Sequence, residues 1–192
     1  MLELQIVTVS TREGRVGPKV AAWFTERARA HAKFEVRPVD LAEVALPIMD
    51  EPNHPRLKKY TKEHTKRWSA IVDAADAFVF VTPEYNFFAP PSLTNAFDYV
   101  LHEWAYKPCA FVSYGGVSGG TRAVQMEKLH ATSLKMMPIP ETVALPFFTK
   151  MINEQGVFDP GEVQDKAAAA LLDELHRWSD ALAPLRSTLR AP

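Results

Sequence analysis

Apolar positions recur along the chain with two alternating periods, and this alternation sets out the elements. Residues 2–9 alternate as a strand. Residues 16–31 follow with Val20, Phe24 and Ala28 along one helical face and Pro18 tolerated in the first turn. Residues 34–39 form a short strand whose Pro38 suits an edge position. From 41 to 60 the pattern dissolves into prolines, acids and amides, which reads mainly as a long surface loop. Residues 63–74 are helical, and 76–82 (Asp-Ala-Phe-Val-Phe-Val-Thr) are nearly all apolar, as in a strand covered on both faces. A helix opened by Pro90-Pro91 is expected to run to about residue 106, followed by a buried strand over 108–114 and a helix over 120–135. A last strand over 142–145 and a terminal helix over 160–185, with Trp178 on its apolar side, complete the series.

Five βα units in succession predict a doubly wound parallel sheet in a three-layer α/β sandwich, with residues 1–192 as one domain. In such folds ligands sit beyond the carboxyl ends of the strands, where strand order reverses, so the segments just after each strand are the informative ones. Composition narrows the partners. Twenty-two Lys and Arg against 23 Asp and Glu leave a net charge of −1, which gives no global field for nucleic acid or an anionic membrane. No apolar run approaches the roughly 18 residues of a membrane span, and the N-terminus does not read as a signal peptide. A single cysteine, Cys109, excludes an internal disulfide framework and suits a reducing cytoplasm. The six histidines show no metal-ligand spacing.

Three segments could carry chemistry. The first is Ser10-Thr11-Arg12-Glu13-Gly14-Arg15-Val16-Gly17, between a strand and a helix. Hydroxyls, free N–H groups at a helix N-terminus and two arginines suit a phosphate, although a polar turn with solvated arginines has the same composition. It is neither a Walker loop nor a G-x-G-x-x-G fingerprint. The second runs from Thr82 through Pro83-Glu84-Tyr85-Asn86-Phe87-Phe88 to Tyr99, where loop aromatics would cover a flat ligand, another subunit or their own core. The third, Ser113-Tyr114-Gly115-Gly116-Val117-Ser118-Gly119-Gly120, has glycines that let a ligand approach the backbone closely. Its Gly116-Val117-Ser118-Gly119-Gly120 also satisfies the G-x-S-x-G of a hydrolase nucleophile elbow, with Ser118 as nucleophile and His130 or His176 downstream.

In this order the three segments resemble the NAD(P)H-dependent FMN reductase family of flavodoxin-like proteins, which includes quinone and azo-compound reductases. Pro83-Glu84-Tyr85-Asn86 followed by Leu93, Asn95-Ala96 and Asp98 is similar to that family's P-E-Y-N…L-K-N-A-x-D motif. The sequence departs from it at Val9 and Phe87, where the family usually has glycine, and at Thr94, where lysine is usual. The resemblance implies strand order 2-1-3-4-5 with FMN at the switch point between the first and third strands. It implies that Ser10, Thr11, Arg12, Arg15, Val16 and Gly17 form the phosphate loop. Pro83, Glu84, Tyr85 and Asn86 would line the isoalloxazine, with Ser113, Gly115 and Gly116 at its pyrimidine end.

The expected activity is ping-pong transfer of hydride from NADPH or NADH through FMN to a small-molecule acceptor such as a quinone, azo compound or free flavin. The flavin carries that chemistry, so no acid–base pair is required. A flavodoxin-type electron carrier is the main rival, but such carriers are generally acidic and hold phosphate with hydroxyls. A homodimer is expected, because Tyr85, Phe87 and Phe88 with nearby prolines make an apolar patch that a two-fold pair would bury twice.

Overall fold

The computed structural model describes residues 1–189, so the last three positions of the expected 1–192 unit lie outside the described residues. Five parallel strands, β1 (Leu2–Thr8), β2 (Phe34–Asp40), β3 (Ala77–Pro83), β4 (Pro108–Gly115) and β5 (Met137–Pro146), make one sheet. Their order is β2-β1-β3-β4-β5, as the family resemblance implies. The helices are α1 (Gly17–His31), α2 (Leu41–Val44), α3 (Glu63–Ala74), α4 (Pro91–Asp98), α5 (Thr121–Ser133) and α6 (Glu162–Leu189).

Side-chain alternation along each strand divides the core into two unlike halves. In β3 and β4, Ala77, Val79, Val81, Ala110 and Val112 pack with Val20 and Phe24 of α1 and Leu171 and Leu175 of α6. Phe78, Phe80 and Phe111 turn to the opposite face, among Trp68 of α3, Phe97 of α4 and Trp104. There the rings meet edge to face: Trp104 lies 4.9 Å from Phe78, 5.2 Å from Phe97 and 5.8 Å from Trp68 between centroids. Cys109 belongs to this half, and complete burial pushes its thiol pKa up, as befits a packing residue.

Four elements depart from the sequence reading. The helix expected to reach residue 106 stops at Asp98, because the Trp104 indole N–H donates to the carbonyl of Phe97 at 3.2 Å and the chain enters a short turn over His102–Trp104. The last strand begins at Met137 rather than 142; Pro138 and Pro140 are tolerated because β5 is an edge, with a register shift against Cys109 and Phe111. The terminal helix is displaced, beginning at Glu162 and continuing to Leu189.

The fourth is the 41–60 segment, which holds α2 and a turn over Pro55–Leu57. It is stapled down along its length. Asp40 caps α2 by accepting from the Ala42 N–H at 2.9 Å. The Asn95 amide donates to the Pro47 carbonyl at 2.7 Å and accepts from the Met49 N–H at 2.9 Å, while the Tyr60 hydroxyl donates to buried Glu103 at 3.0 Å.

Trp104→Ala should therefore cost about 3–5 kcal/mol, by opening a cavity among rings and stranding the Phe97 carbonyl. For a chain of this size that corresponds to a melting temperature lower by roughly 6–20 °C. Thermal unfolding followed by circular dichroism checks this, and a shift under about 2 °C would contradict the packing described.

Candidate functional site

The order reversal at β1 and β3 leaves a cleft of about 240 Å³ at their carboxyl ends, bounded by the loops after β1, β3 and β4. Ser10, Arg12, Arg15 and Val16 form one wall, Pro83, Glu84 and Tyr85 the second, and Tyr114, Gly115, Gly116 and Phe148 the third. All three segments singled out in the sequence thus meet at one place.

The first wall is an anion-accepting turn. Among the described residues, the N–H groups of residues 11–14, 16 and 17 have no intramolecular partner, and they precede a fifteen-residue helix with no acid in its first turn. Such an N-terminus favours negative charge. The two arginines divide the work. Arg15 forks onto Asp40 at 2.6 and 2.8 Å and donates to the Ser10 carbonyl at 2.6 Å, so its guanidinium is occupied in tying the loop to the end of β2. Hydrogen bonding to Asp40 raises its pKa further. Arg12 is exposed, and among the described residues its side chain has no hydrogen-bond or ion-pair partner. It is the charge available to a ligand.

Gly17 closes this wall from beneath. A Cβ there would collide with the Ser10 hydroxyl and come within 2.8 Å of the Tyr114 hydroxyl. Tyr114 itself is buried, donates to Ser10 Oγ at 3.3 Å and packs edge to face on Phe148 at 5.0 Å. Burial pushes its phenol up to about 12.

On the opposite side, the Glu84 N–H donates to the Tyr114 carbonyl at 3.2 Å and joins the second wall to the third. The Glu84 carboxylate turns away from the cleft. It accepts from the Ser118 hydroxyl at 3.0 Å, the Arg122 N–H at 3.2 Å and Arg122 Nε at 2.6 Å. Burial opposes its charge, but the hydrogen bonds from Arg122 and Ser118 prevail and hold its pKa below the ordinary glutamate value. Gly116, with no heavy atom within 4 Å of where a Cβ would stand, lines both the cleft and a neighbouring concavity bordered by Phe87 and Arg122.

Three expected positions fall elsewhere. Thr11 faces an apolar groove between residues 41–49 and α4, and Asn86 borders the Arg122 concavity. Ser113 is buried and donates to the Gly119 carbonyl at 2.8 Å. Strand parity explains the last: Tyr114, not Ser113, is on the α1 face of β4 and reaches the cleft. Phe148 was also outside the sequence reading, although it follows β5 as the other site loops follow their strands.

The second half of the quoted motif is architectural. Leu93 and Ala96 are core, Asn95 holds the 47–49 segment, and Asp98 pairs with His130 at 3.3 Å. The hydrolase reading of Ser118 fails on the same geometry. Its hydroxyl is engaged by Glu84, the Gly120 N–H and Arg122, and among the described residues no histidine is hydrogen-bonded to it.

Comparison with known proteins identifies the family and supports the fold. The family model described as NADPH-dependent FMN reductase matches residues 4–150. An NAD(P)H-dependent FMN reductase of Schizosaccharomyces pombe is 41% identical over 160 residues, covering 82% of this chain and 79% of its own. A quinone reductase of Pseudomonas putida is 33% identical over 168 residues, covering 79% and 86%. Among solved structures, the flavoenzyme NAD(P)H:(acceptor) oxidoreductase FerB of Paracoccus denitrificans superposes with a TM-score of 0.73 at 20% identity, covering 94% of this chain and 98% of its own. The chain belongs to the NADPH-dependent FMN reductase family and is an oxidoreductase.

Proposed function

We propose that the cleft at the β1–β3 switch binds FMN and that the protein passes reducing equivalents from NADH or NADPH to a small acceptor of the quinone, azo or free-flavin class. The observation that carries this reading is the meeting, in one cleft, of an unpartnered anion turn and a glycine-lined wall. The residues fit the cofactor. Free N–H groups, the Ser10 hydroxyl and Arg12 suit a terminal phosphate. Pro83, Tyr85 and Gly116 offer flat or open surface to a ring system.

Held by these residues, FMN would supply the two-electron chemistry between a reduced nicotinamide and the acceptor. The chain's own residues bind and orient. Arg12 would neutralise phosphate, Arg15 holds the turn in shape through Asp40, and Gly17 leaves the room that Ser10 and Tyr114 occupy. The backbone link from Glu84 to Tyr114 fixes the separation of the second and third walls.

A homodimer is part of the same proposal. Phe88 is half exposed and lines an apolar groove of about 780 Å³ with Leu46, Ile48 and Met49, beside the cleft. Ile48 is 89% exposed, and a second copy covering the groove would remove that surface from water. Phe87, by contrast, is directed to Arg122. The buried thiol of Cys109 is compatible with a cytoplasmic setting, and among the described residues no helix is long and apolar enough to cross a membrane.

Purified protein should release FMN, and the holoprotein should oxidise NADH or NADPH when a benzoquinone is supplied; recovery of FAD alone, or no flavin uptake, would refute the site. Arg12→Ala should weaken FMN binding by about 1.5–3 kcal/mol, the worth of a charge-assisted hydrogen bond, and the difference should shrink at high salt. Fluorescence titration measures it, and an unchanged dissociation constant would remove Arg12 from the site. Phe88→Asp should shift the protein toward monomer in light scattering and lower quinone reduction more than FMN affinity. A wild-type monomer at micromolar concentration with full activity would contradict the dimer.

A further inference from the structure

The β3–α4 loop contains a backbone anomaly that the flavin reading leaves unexplained. Tyr85 and Phe88 exchange both main-chain hydrogen bonds, at 2.7 and 3.0 Å, and so close a two-residue hairpin. Its central residues, Asn86 and Phe87, have φ of 52° and 76°. A tight hairpin with two positive φ values normally places Asn or Gly at its centre, because an aromatic side chain pays a steric penalty in that region. Asn86 conforms. Phe87 does not, and the residue is 56% exposed, so burial in the core does not hold it there.

What does meet Phe87 is Arg122, from the first turn of α5. The guanidinium carbon sits 4.2 Å from the ring centroid, within the range of a cation–π stack. Arg122 is itself fixed. Nε donates to Glu84 Oε1 at 2.6 Å, NH2 contacts the same oxygen and donates to Ser118 Oγ at 3.2 Å, and the Arg122 N–H binds Glu84 Oε2 at 3.2 Å. The Glu84 side chain is only 6% exposed, so the anchor is a buried carboxylate one residue beyond β3. A fork on one side and a flat face on the other are what arginine provides and lysine does not.

We propose that Arg122 is a positioning residue: it clamps the strained Asn86–Phe87 turn against α5 and thereby sets the main chain of residues 83–86 where it borders the flavin cleft. This rests on the reading of that cleft as the FMN site. Arg122 acts through Phe87, and Glu84 anchors it there. The strain at residue 87 makes the loop depend on the clamp, whereas a glycine there would adopt the same turn unaided.

That dependence supplies the test. FMN dissociation constants are measured for Arg122→Ala and Arg122→Lys, each in the wild-type and in the Phe87→Gly background, with Arg12→Ala alongside. Lysine keeps a positive charge against Glu84, so that variant reads the clamp even if the alanine variant does not fold. Either change should weaken FMN binding by about tenfold with Phe87 present and by less than about twofold with glycine at 87. Visible circular dichroism at saturating FMN should report an altered flavin environment in Arg122→Lys and its return in the double variant. Equal losses in both backgrounds, or no loss in either, would overturn the clamp while leaving the site intact, provided Arg12→Ala weakens binding. If Arg12→Ala has no effect, the flavin assignment falls and the clamp falls with it.

Discussion

A parallel sheet whose order reverses at β1 sends the chain leaving β1 and the chain leaving β3 to opposite faces, and most other features of the site follow from that separation. Here α1 packs into the Ala- and Val-rich half of the core and α4 into the aromatic half. The two connecting loops therefore diverge above a gap that neither can fill. The gap is bridged at single points: the Arg15 fork onto Asp40 on one side, the Glu84–Tyr114 main-chain bond on the other. A ligand entering between them would meet walls already braced from outside, so little of its binding energy would go into ordering the loops.

The division of the core explains how the braces are held. Rings on the α3/α4 face interlock at fixed edge-to-face distances, and the 41–60 segment is fastened to that block through Asn95 and Tyr60. On the α1 face, β3 and β4 present alanine and valine to that helix. Gly17 continues the same economy of volume to the helix start, where Ser10 and Tyr114 occupy the space a Cβ would need.

The central strands at 77–83 and 108–115 were legible because nearly unbroken apolar runs mark strands covered on both faces, and strand order followed from the family resemblance. What escaped the sequence was decided by tertiary partners. Nothing local stops a helix at Asp98; an indole six residues later does. Proline in 137–141 argues against a strand until the strand is known to be an edge. In the site, loop composition located all three walls but could not separate Arg12 from Arg15, since the partner that occupies Arg15 comes from β2, 25 residues on. The parity of β4 puts Tyr114 with Ala110 and Val112 on the α1 face and Ser113 on the other, a distinction that loop composition alone does not show. Phe148 was invisible because residues 147–151, directly after β5, carry neither glycine nor a motif residue.

Both outer strands of the sheet contain proline: Pro38 in β2, and Pro138, Pro140 and Pro146 in β5. Each removes an N–H that a neighbouring strand would require. The sheet is thus closed to growth at either margin, and a flat stack of copies paired edge to edge is disfavoured along both. Any pairing of copies is left to the helical faces and to the loops above the strand ends, which are also where the cleft opens.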